Sequence, residues 1–209
     1  MHDFWMAVSA MGESRLVLPA ALVAMIFVAM SERPPVFHWL WALAFAGTAV
    51  LASKLAFLGW GIGWAAIDFT GISGHAMVSA SVYPVLGYAV GNRYSRRAAT
   101  LLAWTGASLA LLIGVSRLAM GAHSVSEVVL GLGVGAIVSV VVLARWPVGR
   151  LGLRMGVVVL AFLLSTMASY SIVPKLRTHD VVIALALALS GQDTPYTRDH
   201  LHRASRTGA

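Results

Sequence analysis

Long apolar segments almost without charge dominate this chain, and few folds can accommodate them. Six such segments run roughly over 16–31, 36–58, 74–91, 98–116, 124–144 and 153–173. A stretch of about 20 apolar residues matches the hydrocarbon thickness of a bilayer. Lipid offers the backbone no hydrogen-bond partners, so a spanning segment must be a helix or part of a closed barrel. The segments are long and do not alternate, which predicts an all-α, polytopic transmembrane helical bundle of about six spans. Composition agrees: of 209 residues, 59% are hydrophobic and 11% charged, where a soluble domain carries about 25% charged residues. One integral membrane domain, residues 1–209, accounts for the whole length. There is no Cys, so disulfides and thiolate metal sites are excluded.

The spans are separated by Ser31-Glu32-Arg33-Pro34-Pro35, by Gly91-Asn92-Arg93, and by Pro147 and Gly149. The beginning has no basic region ahead of its first apolar stretch and does not read as a signal peptide. Residues 1–13 suit a small interfacial helix, with Phe4, Trp5 and Met6 at headgroup level. The apolar run from Val181 to Leu189 is too short to span and is expected to be interfacial or packed on the bundle. The polar tail, 191–209, is expected to be loose. Net charge is +7, but the basic residues lie between apolar segments and in the tail and form no stripe, which argues against a nucleic-acid partner. Arg33, the Arg93, Arg96, Arg97 group, and Arg145 with Arg150 fall in alternate loops, and the positive-inside rule puts those loops in the cytoplasm. Arg outnumbers Lys thirteen to two, which hints at a bacterial genome, and the opposite loops are then expected to face the periplasm of an inner membrane.

Between Pro35 and Ala144 seven residues carry formal charge, and three of them form the Arg93, Arg96, Arg97 loop. The other four are Lys54, Asp68, Arg117 and Glu127, with His75 and His123 among them. All six lie in or beside the two loops of one face, and charges at membrane depth are costly and usually paired or functional. His123 and Glu127 are four apart, on one face of a helix start. A carboxylate there fixes the imidazole tautomer and leaves the second nitrogen as nucleophile or base. Ser73-Gly74-His75 opens a helix, and helix N-terminal amides bind anions. Lys54 and Arg117 suit a transferring phosphoryl group, and His75 suits protonation of a leaving oxygen. The set fits phosphoryl transfer.

These residues resemble the signatures of the type 2 phosphatidic acid phosphatase superfamily. Ser116-Arg117, five residues, His123, three residues and Glu127 resemble its third signature, S-R-x5-H-x3-D. Ile72-Ser73-Gly74-His75 resembles the second, P-S-G-H, and Lys54 the Lys of the first, K-x6-R-P. The likeness covers a signature core of about 54–127. It implies a metal-independent lipid phosphatase with no cofactor, working through a phosphohistidine. His123 is then the nucleophile, His75 the general acid and Glu127 the orienting carboxylate, and Lys54, Ser73, Gly74 and Arg117 bind phosphate. The substrate is a membrane lipid phosphate or diphosphate: undecaprenyl pyrophosphate, phosphatidate, phosphatidylglycerol phosphate or a lipid A type. Three departures from the pattern stand out: Glu127 for Asp, Ile72 for Pro, and Gly61-Ile62 where Arg-Pro is expected. One phosphate-binding cation is therefore missing or supplied from elsewhere.

Plainer readings stand beside these. His123 with Glu127 could tie helices together, Ser73 could be an N-cap, and Lys54 could snorkel to headgroups. Asp68 reads as a turn residue, and Gly59, Gly61 and Gly63 as a flexible loop at the site mouth. A lipid phosphotransferase on the same scaffold and a non-enzymatic transporter or degenerate relative are the alternative functions. Nothing in the sequence indicates an oligomeric state.

Overall fold

The computed structural model describes residues 1–14, 17–19, 21–22, 33–92, 94–146 and 178–207. These build an all-α bundle. No strand forms among the described residues, and one isolated bridge pairs Trp64 with Phe69. In order the helices are α1 (His2–Ala10), α2 (Arg33–Trp60), α3 (Gly74–Gly91), α4 (Arg96–Ala119), α5 (Val125–Leu143), α6 (Thr178–Ser190) and α7 (Arg198–Thr207), with a 3-10 turn at Ala65–Ile67. Three are long and apolar enough to cross a membrane, over Phe37–Trp60, Arg96–Ala119 and Val125–Leu143. About six spans were expected along the whole chain; the one at 153–173, and most of 16–31, lie outside the described residues, and the one at 74–91 forms α3, which is not among the three.

Helix boundaries follow local chemistry. Pro34 and Pro35 occupy the first turn of α2, where a missing N–H costs nothing. Ser95 caps α4 by accepting from Ala98 N at 3.1 Å. Ser124 caps α5 within a Ser-x-x-Glu capping box. The outward faces carry large apolar side chains, Phe45, Trp104, Leu101 and Ile137 among them, as a lipid-facing surface requires.

α3 is the exception, because it is wrapped by protein. Ala76 to Val82 are all buried, including Ser79 and Ser81. It packs on α2 and α5 through Val78, Val82, Val85, Trp39, Val138 and Val142. Pro84 lies inside it and cannot donate to the carbonyl of Ala80. Ser139 on α5 takes that place, its hydroxyl donating to Ala80 O at 2.6 Å. The repair comes from a neighbouring helix, the usual means of tolerating an interior proline in apolar surroundings.

Glycines set the closest helix approaches. A Cβ at Gly131 would collide with Ser73 O, and one at Gly135 with Met77 O, so α5 lies directly against the start of α3. Gly131→Ala and Gly135→Ala should each lower stability by about 1–3 kcal/mol through overpacking. Thermal unfolding in detergent should show the drop, and an unchanged midpoint would count against this close approach.

Candidate active site

The site forms where α3, α4 and α5 present their ends beside the body of α2. Glu127, fully buried in the first turn of α5, is its hub. Its Oε2 lies 2.6 Å from His123 Nδ1 and accepts from Ser124 N at 3.2 Å. Ser124 Oγ in turn accepts from Glu127 N at 3.4 Å. One carboxylate therefore both caps a helix and orients an imidazole. Oε1 accepts from Thr70 N at 2.8 Å, Thr70 Oγ1 at 2.5 Å and Arg198 Nη2 at 3.0 Å. With five donors around it the carboxylate stays ionised, and His123 carries its proton on Nδ1, leaving the Nε2 lone pair available. Burial holds His123 below its usual value; it outweighs the Glu127 bond, which pulls the other way, while Lys54 and Arg117 reinforce it.

Gly121, at φ +62°, turns the chain after α4, and Ala122 N donates to Arg117 O at 3.0 Å. That reversal returns His123 toward Arg117. Arg117, in the last turn of α4, donates from Nη1 to Ser9 Oγ at 2.5 Å and faces Glu13, so α1 and the residues after it approach the site. Its buried Nε has no protein partner among the described residues. Lys54 is half-buried on α2, close enough to Glu127 and Arg117 to interact with both. Gly71, at φ +145°, lies against the Lys54 backbone, and Ile72 N donates to Ser53 Oγ at 3.0 Å.

The Ser73-Gly74-His75 segment joins the site through its backbone, Ser73 N donating to Glu127 O at 3.1 Å. Ser73 is the N-cap of α3 by position, yet its hydroxyl makes no cap bond. It is fully buried and has no protein partner among the described residues. Ser116 is purely structural, its hydroxyl donating to Ile113 O at 2.6 Å. Of the residues singled out from sequence, Lys54, Ser73, Gly74, His75, Arg117, His123 and Glu127 all lie at this end of the bundle.

Two expectations are corrected. The tail is not loose: Tyr196 N donates to Leu58 O at 2.9 Å, and α7 brings Arg198 onto Asp68, Thr70 and Glu127. His202 Nε2 also meets Asp68 Oδ1 at 2.9 Å. The glycine-rich stretch is not a free loop but the seat of the C-terminal segments. Gly59 faces Ala186 and Ser190 of α6, Gly61 the Tyr196 ring, and Gly63 Leu201. Asp68 is a turn residue as expected, at φ +52°, and it also anchors α7. Sequence reasoning missed Thr70, Ser9 and Arg198. Ser124-Val125-Ser126-Glu127 did carry the capping-box signal for the double role of Glu127.

A family model for the PAP2 superfamily matches residues 16–150, which include Lys54, Ser73, Gly74, His75, Arg117, His123 and Glu127. The chain belongs to the PAP2 superfamily. A relative from Klebsiella pneumoniae, described as an uncharacterized 22.5 kDa protein in a cps region, is 35% identical over 95% of this chain and 98% of its own length. No solved structure is a significant match. Membership supports a phosphatase-type activity on phosphate esters, in a chain with three helices among the described residues long and apolar enough to span a membrane.

Proposed function

We propose that this protein is a membrane lipid phosphatase that works through a phosphohistidine at His123. The observation that carries the reading is the His123–Glu127 pair at 2.6 Å, its Nε2 available and two cations, Lys54 and Arg117, near enough to act on it. Nε2 attacks phosphorus, the phosphorus–oxygen bond to the lipid breaks, and His75 protonates the departing oxygen. Water then attacks the phosphohistidine, giving a proton to His75, which regains the one it lost, as the P–N bond breaks. Inorganic phosphate leaves and the imidazole is restored. Glu127 stabilises the positive charge on His123 while the P–N bond exists.

Lys54, Arg117, Ser73 and the Gly74 amide hold the phosphoryl oxygens in this reading. Two features support it. Ser73 Oγ and Arg117 Nε are buried donors lacking an acceptor among the described residues, and such groups are costly unless a ligand uses them. A Cβ at Gly74 would meet only Val50 Cγ1 at 3.6 Å, an ordinary contact, so protein packing does not demand glycine there. Close approach of a phosphate to the amide would. The helices facing lipid around the site favour a lipid substrate: undecaprenyl pyrophosphate, phosphatidate, phosphatidylglycerol phosphate or a lipid A type. The loop arginines support a reading with the site on the periplasmic side of the inner membrane.

The test is phosphate release from that lipid panel by purified protein in detergent with EDTA present. Release that survives EDTA, with acid-labile label trapped on histidine, is expected. Label passed to a second lipid would replace hydrolysis with phosphotransfer. No release and no trapped label, with substrate uptake into liposomes, would overturn the catalytic reading. Arg117→Lys, which keeps the charge and loses the bidentate fork, should raise KM by roughly 10-fold with a smaller effect on kcat. An unchanged KM would remove Arg117 from phosphate binding.

A further inference from the structure

Arg198 lies 71 residues from Glu127 in sequence, on a helix outside the matched family region, yet its Nη2 is 3.0 Å from Glu127 Oε1. Nη2 also reaches Thr70 Oγ1 at 3.3 Å, while Nη1 donates to Asp68. Both terminal nitrogens are thus committed to protein oxygens, and to a carboxylate each. That arrangement does not suit a direct phosphate ligand. It suits a group that acts through Glu127. We propose that Arg198 is a positioning residue of the site, holding the Glu127 carboxylate and offsetting its charge so that His123 remains a neutral nucleophile. The proposal rests on the phosphohistidine reading for its role in turnover, although its electrostatic content does not.

Three observations separate this from a mere strap. First, docking of the tail does not require the Glu127 contact. Asp68 already takes Nη1 and His202, and Tyr196 N is bonded to Leu58 O. Second, Glu127 is fully buried, and a buried carboxylate needs compensating charge. The histidine it orients is held neutral, so the compensation must come from cations. Third, the tail seat and the missing loop cation are one arrangement. Gly61 stands six residues after Lys54 plus one, where a side chain would be expected, and it has φ +69°. A Cβ there would lie 2.9 Å from the Tyr196 ring. A large residue at 61 would displace the segment that delivers Arg198. The chain has glycine in the loop and an arginine on the tail.

The electrostatic consequence has a definite sign. The groups facing His123 are Glu127 on α5, Lys54 on α2 and Arg117 on α4. Those facing Glu127 are His123, Lys54 and Arg198, with Asp68 on the far side of the guanidinium. Removing the Arg198 charge leaves Glu127 less compensated and releases Asp68. Both changes favour the imidazolium, so His123 should take up its proton at higher pH.

The experiment is an NMR titration of His123, with imidazole-labelled full-length protein in detergent micelles, for wild type, Arg198→Gln, Arg198→Lys and His202→Ala. Glutamine keeps a donor for Glu127 and removes the charge, so the tail stays docked. The His123 midpoint should rise by about one pH unit in Arg198→Gln, return toward wild type in Arg198→Lys, and stay put in His202→Ala. The acid limb of kcat/KM should follow the same order, with kcat falling about 10-fold and KM changing little. An unmoved midpoint in Arg198→Gln, or an equal shift in His202→Ala, would overturn the proposal. The titration needs no turnover, so a protein without phosphatase activity would refute the functional reading while leaving this measurement decisive.

Discussion

His123→Ala should lower phosphate release by about 1,000-fold or more, because the variant loses the nitrogen that attacks phosphorus. The variant should still fold. Glu127 retains Thr70 N, Thr70 Oγ1, Arg198 Nη2 and Ser124 N, so its charge is not stranded. A thermal midpoint within a few degrees of wild type is therefore expected, together with complete loss of the trapped phospho-enzyme. In the wild type, the acid limb of kcat/KM, where His123 takes up a proton, should lie below the ordinary histidine value. Burial is the dominant influence on His123 and opposes its protonation, so the neutral imidazole persists to lower pH than in a free histidine. Appreciable turnover by His123→Ala, or an acid limb above neutrality, would remove the histidine from the nucleophile role.

Glu127→Gln is expected to be the next most damaging change, with kcat down by about 100- to 10,000-fold, as when the orienting acid of a histidine pair is neutralised. The amide keeps the shape but presents Nδ1 of His123 with either a donor or a weaker acceptor. It also leaves Arg198 with only Asp68 as a charge partner. Stability should drop by about 1–3 kcal/mol through the weakened buried bonds. The pH response carries the sharper information. Without the carboxylate the imidazolium loses its stabilising partner, so the acid limb should move to lower pH. Neutralising Arg198 should move it to higher pH. Opposite displacements from the two ends of one ion pair would be difficult to obtain from general disruption of the fold; displacements of the same sign would argue that both changes merely loosen the site. Glu127→Asp should retain part of the rate. The shorter chain cannot hold His123 on one oxygen and Thr70 with Arg198 on the other, and it weakens the capping box of α5.

Much of the architecture was legible because hydrophobic length is a one-dimensional property. The segments at 36–58, 74–91, 98–116 and 124–144 became α2, α3, α4 and α5 with ends moved by a few residues. At the starts of α4 and α5 the boundary is set by Ser95 and Ser124, which cap one residue outside the first helical position. What the apolar pattern did not reveal was that α3 is enclosed by the other helices. That depends on which neighbour covers which face, and on Ser139 meeting a carbonyl freed by Pro84.

Of the candidate site, the pair of His123 and Glu127 was readable because four residues is one helical turn, a spacing that local geometry enforces. Its surroundings were not. Thr70 reaches Glu127 across 57 residues, Arg198 across 71, and Ser9 reaches Arg117 across 108. No local rule links such positions. Sequence by itself determined that the chain is a helical membrane protein and that a histidine, a carboxylate and two cations gather at one end of it, since those follow from segment length, turn spacing and the cost of charge in lipid. Only the tertiary structure decided that a polar tail is a docked helix and that its arginine balances the buried carboxylate. The glycines at 59, 61 and 63 acquire their meaning from what packs against them, and contacts between distant segments exist only once the chain has folded.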